Sequence, residues 1–530
     1  MCYNQIMFRK SYYLRIKLWW LSNAWAGLLG LFFLAVIAFT YWTNAPTFTD
    51  PDSFYHIKMT EIIMHQRQPV TDFPWLQFTT LKDAYVDHHF LYHVFLIPFI
   101  GLFGAIVGMK IATVFLAGLA IVLFYGLLRS LKIRYALIFS LLLLFTSAFS
   151  FRMGLAKAPS VAFLFLITGF FFLLKKQARP LAVLSFFFVW AYGGFILLPI
   201  LTLIYSILGL FFEKENKKNY QKIILAVGGG TLLGLLIHPN FPQHFQMYWQ
   251  QVIQIGLINY QNVIGVGGEW YPTNIQDLAT ATPLLALLFT ISIITFLVTA
   301  KKQSLKSLTG FLMMLIFLIA TLKSKRYIEY FVPWTYLFTA FCLQDSGALH
   351  ALPHTISQLI IGAKKHLLYQ VSLVLLFLYL LFIVPYTLLD NNKRLYEDLH
   401  AGIAVTKYQK AGQWLNNHVN KGDIIFNADW DDFPILFYQV PRARYIVGLD
   451  PTFMYNYSPA DYQKWKDITL GETSENLFKT ISQDFNSRFV LLDQQHQGLY
   501  LNLLQDPRFV LAYQDAEVYI FRVPRDQKTK

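Results

Sequence analysis

Apolar stretches long enough to cross a lipid bilayer recur along the first 385 residues and alternate with short polar segments. We place them at Leu18–Trp42, Ile106–Leu128, Tyr135–Phe149, Ser160–Leu174, Leu181–Leu197, Leu198–Phe212, Ile223–Ile237, Leu278–Thr299, Leu308–Leu322, Ile328–Leu343 and Leu367–Pro385. Because a helix of about 20 apolar residues crosses the hydrocarbon core, this pattern predicts a polytopic α-helical membrane protein with about eleven transmembrane helices. The apolar segment Phe90–Phe103 is short for a span, and we expect a helix that lies at the outer surface.

The pattern changes after Pro385, where apolar runs shorten to strand length and alternate with amphipathic stretches. It predicts helices at Thr406–Val419 and Glu475–Phe485, and strands at Asp423–Phe426, Arg444–Leu449, Phe489–Asp493, Phe509–Tyr513 and Glu517–Phe521, of which the last two form a hairpin. The chain therefore divides into a transmembrane domain over residues 1–387, with long loops at 43–105 and 238–277, and a C-terminal α/β domain over 388–530.

The charge balance sets the expected orientation. The 530 residues include 44 Lys and Arg but only 30 Asp and Glu, with 55% hydrophobic and 14% charged residues overall. Basic residues of membrane proteins collect on cytoplasmic loops, so the +14 charge does not call for nucleic acid. The basic residues before Leu18 predict a retained anchor with a cytoplasmic N-terminus in the plasma (inner) membrane, which places both long loops and the C-terminal domain outside. Only Cys2 and Cys342 occur, which excludes a disulfide framework.

The first outer loop opens with a polar stretch, Thr49–His56, that holds Asp50, Asp52 and His56. Carboxylates and an imidazole beside a span can bind a divalent cation, accept a proton or simply be solvated. Asp87, His88 and His89 follow in the same loop as further candidate ligands.

Two later segments are unusual for their positions. Glu269 lies in the glycine-rich run Gly265–Thr273 just before a span, where glycine lets backbone approach a ligand closely; the alternative is a flexible loop with an aromatic anchor. The basic turn Lys323–Tyr327 falls on the outer face, against the charge rule. Either the span count is off by one or Lys325 and Arg326 bind an anion there.

The C-terminal domain carries an acidic segment, Asn427–Pro434, at the end of its first predicted strand. This edge of an α/β sheet often holds ligand groups, and an acidic turn that caps a helix explains the segment as well.

Taken in order, these motifs resemble the catalytic subunit of oligosaccharyltransferase and, more broadly, membrane glycosyltransferases of the C-type fold. The resemblance implies transfer of a sugar or glycan from a polyprenyl-phosphate-linked donor to a lipid, glycan or protein acceptor at the outer face of the membrane. Oligosaccharyltransferase-like protein glycosylation is the alternative within this class, and a transporter or flippase of lipid-linked glycans is the alternative outside it. The polar residues gather in the outer loops and the chain shows no internal repeat, which favours the enzyme.

The resemblance assigns roles to individual residues. Asp50 or Asp52 matches the family's first-loop aspartate, which engages metal and acceptor. Glu269, in Gly268-Glu269-Trp270-Tyr271-Pro272-Thr273, is similar to the family's second carboxylate. Arg326, with Lys325, matches its phosphate-side arginine, and Trp430 with Asp431 is similar to its acceptor-binding motif.

The sequence departs from the family where a second acidic pair is expected, near 152–160, because Ala158-Pro159-Ser160 stands there. A divalent cation, Mg²⁺ or Mn²⁺, would therefore rest on Asp52 and Glu269, with His88 and His89 as replacement ligands. In this interpretation Asp50 or Asp52 acts as the base with support from His56, and cations stabilise the departing phosphate.

Overall fold

The computed structural model describes residues 24–353, 357 and 367–524. The part of the predicted anchor Leu18–Trp42 that precedes residue 24 lies outside the described residues. The described residues up to 400 are mainly helical. Its longer α-helices are Ala24–Thr43, Asp52–Gln66, Phe90–Phe103, Ala105–Ser130, Pro159–Leu174, Ala178–Ala191, Leu197–Phe212, Lys217–Leu236, Pro283–Val298, Leu305–Lys323, Ile328–Asp345, Leu367–Leu378 and Val384–His400.

Three helices in the described residues are long and apolar enough to cross a membrane: Trp25–Thr43, Ala105–Ser130 and Leu305–Lys323. Two further predicted spans are bent pairs, Ala136–Leu144 with Ser147–Gly154 at 67° and Ile275–Ala281 with Pro283–Val298 at 113°. These helices and the later strands fit a helical membrane protein with a strand-containing C-terminal domain. The count of about eleven spans stays a prediction.

Small residues let two of the helices approach closely. Gly230 and Gly234 lie one turn apart on the helix Lys217–Leu236, which packs on Ala178–Ala191. A Cβ at Gly230 would lie 2.1 Å from the carbonyl oxygen of Ala182. Any larger side chain there would push the helices apart, as in the small-xxx-small contacts of membrane helices.

The C-terminal domain is built on a five-stranded mixed sheet. Its strands are β3 (Ile424–Asn427), β4 (Arg444–Tyr445), β5 (Ser487–Asp493), β6 (Val510–Gln514) and β7 (Val518–Arg522), in the order β4-β3-β5-β7-β6. Strand β3 runs parallel to β4 and β5, whereas β6 and β7 form an antiparallel hairpin, as the sequence predicts. The predicted division at residue 387 stays a prediction, because one helix, Val384–His400, runs through it.

The first loop joins the two parts of the chain. Strand β1 (Thr47–Phe48) pairs antiparallel with β2 (Ile403–Ala404) directly before the polar stretch. The helix Asp52–Gln66 then packs against the helix Phe433–Gln439 of the C-terminal domain, and the centres of the Tyr55 and Phe437 rings lie 6.2 Å apart. The acidic residue at the start of the helix Asp52–Gln66 is thereby held close to the C-terminal domain.

Candidate active site

A cavity of about 290 Å³ lies where the first loop, the Glu269 loop, the basic turn and the C-terminal domain meet. Residues from all four segments line it, although they are far apart in the sequence. Those with candidate chemistry are Asp50, Asp52, Tyr55, His56, Tyr85, His88, His89, Arg152, Lys157, Tyr192, Glu269, Arg326, Trp430, Asp431 and Asp450.

The acidic pair of the first loop shares one cation. Lys157 Nζ lies 2.9 Å from Asp50 Oδ2 and 2.8 Å from Asp52 Oδ2. Asp50 Oδ1 also accepts the Asp52 backbone N–H at 3.0 Å, which fixes the two carboxylates relative to each other. Burial alone would lower the pKa of Lys157, but Asp50 and Asp52 outweigh burial and raise it, so the ammonium stays charged.

Glu269 is held between two guanidinium groups. Its Oε1 accepts from Arg326 Nη1 and its Oε2 from Arg152 Nη1, each at 2.6 Å. Arg152 is buried and is also bound to Glu329, through Nε and Oε2 at 2.8 Å. Burial raises the pKa of Glu269, but Arg326 and Arg152 overcome this and hold it well below its usual range. Glu269 is therefore a paired carboxylate, with little tendency to accept a proton.

The Glu269 loop is fixed to the basic turn by backbone contacts. Ser324 Oγ donates to the Glu269 carbonyl oxygen at 3.1 Å, and the Lys325 N–H donates to the Tyr271 carbonyl oxygen at 3.0 Å. The Arg326 guanidinium lies 4.8 Å from the centre of the Trp270 ring. Cation–π contact and the ion pair together orient Arg326 toward the cavity.

A buried chain of hydrogen bonds leads to His56. Asp87 Oδ2 lies 2.7 Å from His93 Nδ1, and His93 Nε2 lies 2.8 Å from His56 Nδ1. An ionised Asp87 requires a proton on His93 Nδ1, so His93 Nε2 accepts from the Nδ1–H of His56. The remaining nitrogen of His56, Nε2, is then an unprotonated acceptor on a ring that lines the cavity. Burial keeps the pKa of His56 well below its usual value, so this neutral form is favoured.

A second cavity of about 110 Å³ adjoins the first. It shares part of its lining with the main cavity and adds apolar side chains such as Leu197 and Val252. Arg326 lines both cavities, and its Nη2 donates to the Tyr192 hydroxyl at 3.1 Å. The Arg326 guanidinium therefore lies where the polar main cavity meets the more apolar second cavity.

The C-terminal domain contributes the rim on the other side. Trp430 comes within van der Waals reach of Gly267, since a Cβ at Gly267 would lie 3.6 Å from its ring. Asp450 is buried in the cavity wall, and burial raises its pKa to about 6. Asp432, just behind the rim, accepts from the Tyr408 hydroxyl at 2.8 Å.

The structure brings together nearly all of the residues singled out in the sequence. The predicted residues that line the main cavity are Asp50, Asp52, His56, His88, His89, Glu269, Arg326, Trp430 and Asp431. Lys325 does not line it, and its side chain is exposed. The roles assigned to these residues remain predictions.

Sequence reasoning missed Arg152, Lys157 and His93. Each is an isolated ionisable residue inside or beside an apolar stretch, which is a recognised mark of function in membrane proteins. Arg152 and Lys157 lie within the segment 152–160, where the family resemblance led us to expect an acidic pair.

The site does not fit a divalent metal ion as it stands. Among residues 24–353, 357 and 367–524, no group of three or more His, Cys, Asp or Glu side chains could hold one. Asp50 and Asp52 face an ammonium, and Glu269 faces two guanidiniums. Divalent cations bind carboxylate oxygens that are free of competing cations.

The chain has the fold of C-type glycosyltransferases, as comparison with solved structures shows. The oligosaccharyltransferase of Archaeoglobus fulgidus in the apo form matches with a TM-score of 0.65 and 13% identity, over 96% of this chain and 75% of that one. ArnT from Cupriavidus metallidurans, bound to undecaprenyl phosphate, matches with a TM-score of 0.57 and 12% identity, over 94% and 98%.

A third match is the arabinofuranosyltransferase AftD from Mycobacteria, with a TM-score of 0.58 and 10% identity, over 94% of this chain and 40% of that one. Identities this low show the fold alone. No protein-family model and no curated protein sequence matches the chain.

Proposed function

We propose that this protein is a membrane glycosyltransferase that moves a sugar or glycan from a polyprenyl-phosphate-linked donor to an acceptor at the outer face of the membrane. The observation that carries the proposal is the convergence of Asp50, Asp52, Glu269 and Arg326 on one cavity. These residues lie in three separate loops, and a transport path or a scaffold does not require them to meet.

The fold supports the same proposal. Structures with this fold include one bound to undecaprenyl phosphate and an archaeal oligosaccharyltransferase in complex with an inhibitory peptide and a dolichol-phosphate. A polyprenyl phosphate has a charged head and an apolar tail, which suits a site where outer loops meet apolar helices. We expect the predicted spans to hold the tail, with the C-terminal domain outside.

We assign the donor phosphate to Arg326. The bond from the sugar C1 to the phosphate oxygen breaks, and its electron pair remains on that oxygen. Arg326 lies at the junction of the two cavities, where a guanidinium can bind the charge that develops. The smaller cavity, with Leu197 and Val252, receives the first part of the lipid tail.

We assign the acceptor to the space between the acidic pair and the rim formed by Trp430 and Asp431. Asp52 and His56 lie one turn apart on the same helix and thus on the same face. Asp52 accepts a hydrogen bond from the acceptor group, while His56 Nε2 takes its proton as the new bond to C1 forms. His93 and Asp87 stabilise the resulting imidazolium.

This assignment differs from the sequence-based hypothesis, in which Asp50 or Asp52 is the base with support from His56. Asp50 and Asp52 are both bound to the Lys157 ammonium. Burial raises the pKa of Asp52, and Lys157 opposes that rise. His56 instead offers a neutral nitrogen backed by a buried carboxylate.

The test is a deletion strain complemented with variants of the chain. Glu269→Gln and Arg326→Ala are expected to leave cells without the glycan and with unused lipid-linked donor, whereas the exposed Glu472→Gln serves as the matched control. Mass spectrometry of lipid extracts separates the alternatives. A transferase breaks the bond between sugar and phosphate and releases free polyprenyl phosphate, while a transporter or flippase leaves that bond intact. The proposal would be refuted if wild-type cells released no free polyprenyl phosphate from the donor.

A further inference from the structure

Lys157 occupies a defined position between two helices. The short segment from Leu155 to Ala158 links the helices Ser147–Gly154 and Pro159–Leu174, and the Lys157 N–H donates to the Leu155 carbonyl oxygen at 2.8 Å. The Lys157 side chain is 11% exposed and ends between Asp50 and Asp52. A long lysine side chain is normally mobile, but burial and two ion pairs fix this one.

The Lys157 ammonium takes the place that a divalent cation would need. Mg²⁺ and Mn²⁺ sites require close oxygen ligands in a nearly octahedral shell. A cation between the two carboxylates would meet the Lys157 charge at close range, where repulsion is large in a partly buried site. Glu269, across the cavity, is bound by Arg152 and Arg326. Asp431 and Asp450 also line the cavity, but no group of three or more His, Cys, Asp or Glu side chains in the described residues could hold a metal ion.

We propose that Lys157 is the built-in cation of this active site, and that its ammonium replaces a divalent metal ion in holding Asp50 and Asp52 in place for the acceptor. The reaction in which the acceptor takes part rests on the proposed function. The assignment of Lys157 as the cation does not depend on it. The Archaeoglobus fulgidus oligosaccharyltransferase, which has the same fold, was solved in a complex with Zn and sulfate.

The carboxylate geometry also supports a positioning role for Lys157. One ammonium bound to two carboxylates leaves a net negative charge at this side of the cavity. The Asp52 carboxylate retains 29% exposure and can therefore accept a hydrogen bond from an acceptor group while it remains bound to Lys157.

Manganese binding tests the proposal without any substrate. Purified wild-type protein, titrated with Mn²⁺ and followed by electron paramagnetic resonance, is expected to show no site that depends on Asp52. The variant Lys157→Gln is expected to gain Mn²⁺ affinity by about tenfold or more, because the competing charge is gone. The gain should disappear in the double variant with Asp52→Asn.

Three outcomes would overturn the proposal. They are Mn²⁺ binding to wild type that Asp52→Asn abolishes, a folded Lys157→Gln that binds no more Mn²⁺ than wild type, and wild-type transfer that stops with EDTA and returns with Mn²⁺. The EDTA experiment needs no variant, so it decides the matter even if Lys157→Gln fails to fold. A protein that transfers no sugar refutes the proposed function, while the Mn²⁺ titration still tests the role of Lys157.

Discussion

The two sides of the cavity solve the burial of charge in opposite ways. On one side two carboxylates, Asp50 and Asp52, share the single ammonium of Lys157. On the other a single carboxylate, Glu269, lies between the guanidiniums of Arg152 and Arg326. Buried charges are stable only when they are paired. Even so, at the cavity surface the first side has one carboxylate more than its cations, and the second side has one guanidinium more than its carboxylates.

This difference divides the work of a transfer reaction. The acidic side suits a neutral acceptor that must lose a proton, and the guanidinium side suits a phosphate that gains charge as it leaves. Arg152 is partly neutralised by Glu329, which leaves Arg326 as the guanidinium shared by both cavities. In the proposed function, the acceptor therefore lies at the acidic end of the cavity and the leaving phosphate at the guanidinium end.

The largest expected effect comes from the guanidinium side. We expect Arg326→Ala to lower the transfer rate by about 10³-fold, since it removes the group that stabilises the leaving phosphate. Arg326→Lys should recover only part of this rate, because an ammonium cannot form the same paired hydrogen bonds. Transfer is measured with purified protein in liposomes that contain the lipid-linked sugars of its host.

The matched control is Lys325→Ala, one residue away, with an exposed side chain outside the cavity. We expect nearly normal transfer from it. Equal losses for Lys325→Ala and Arg326→Ala would mean that the basic turn acts through its general charge, and the assigned role of Arg326 would be wrong.

The next effect concerns the buried chain behind the acidic side. Asp87→Asn lets an amide donate to His93 Nδ1, which reverses the hydrogen bonds and places a proton on His56 Nε2. We expect about a 10²-fold loss of transfer. His93→Gln keeps the original direction and should lose less, and the exposed Asp83→Asn should behave as wild type.

The measurement that tests this prediction is the ratio of the transfer rates of Asp87→Asn and His93→Gln. If His93→Gln is as damaged as Asp87→Asn, the direction of the hydrogen bonds is irrelevant and the chain is only structural. Melting temperatures of both variants separate a loss of folding from a loss of proton transfer.

A smaller effect is expected at the acidic pair itself. Asp52→Asn retains a hydrogen-bond acceptor and leaves Lys157 paired with Asp50, so we expect about a tenfold loss of transfer, mainly as a higher KM. A loss of 10²-fold or more in kcat would instead identify Asp52 as the base, as the sequence-based hypothesis states. Asp50→Asn provides the matched comparison on the same ammonium.

The smallest effect concerns stability rather than transfer. Burial, together with Asp429 and against Lys407, raises the pKa of Asp432 to about 7 from its usual value of 3.8. Because the folded-state pKa is raised, the stabilisation is complete below the unfolded value and is lost as pH rises through about 7. Asp432 is expected to contribute a fall of about 1 kcal/mol in the free energy of unfolding between pH 6 and pH 8. Asp431, whose pKa burial raises to about 8, adds to the fall over the same range.

Asp432→Asn should make this fall smaller by about 1 kcal/mol, because an amide resembles the protonated carboxyl and does not titrate. Denaturant unfolding of the wild type and of this variant at both pH values checks the prediction. An equal pH dependence of stability in the wild type and in Asp432→Asn would contradict the assigned pKa shift.

The sequence by itself determined the broad organisation, because hydrophobic periodicity is a local property. It predicted the helix Phe90–Phe103 at its observed bounds, the hairpin of β6 and β7, and β3 and β5 to within two residues. It did not predict the 67° break between the helices Ala136–Leu144 and Ser147–Gly154. That break directs Arg152 into the cavity.

The pairing of charges was decided only by the tertiary structure. Asp50, Asp52, Glu269 and Arg326 could be chosen from the sequence as unusual for their positions, but nothing local shows which cation meets which carboxylate. Lys157 reaches the first pair across 107 residues of chain, and Arg152 reaches Glu269 across 117. Ion pairs over such distances depend on how helices pack, and packing depends on the whole fold.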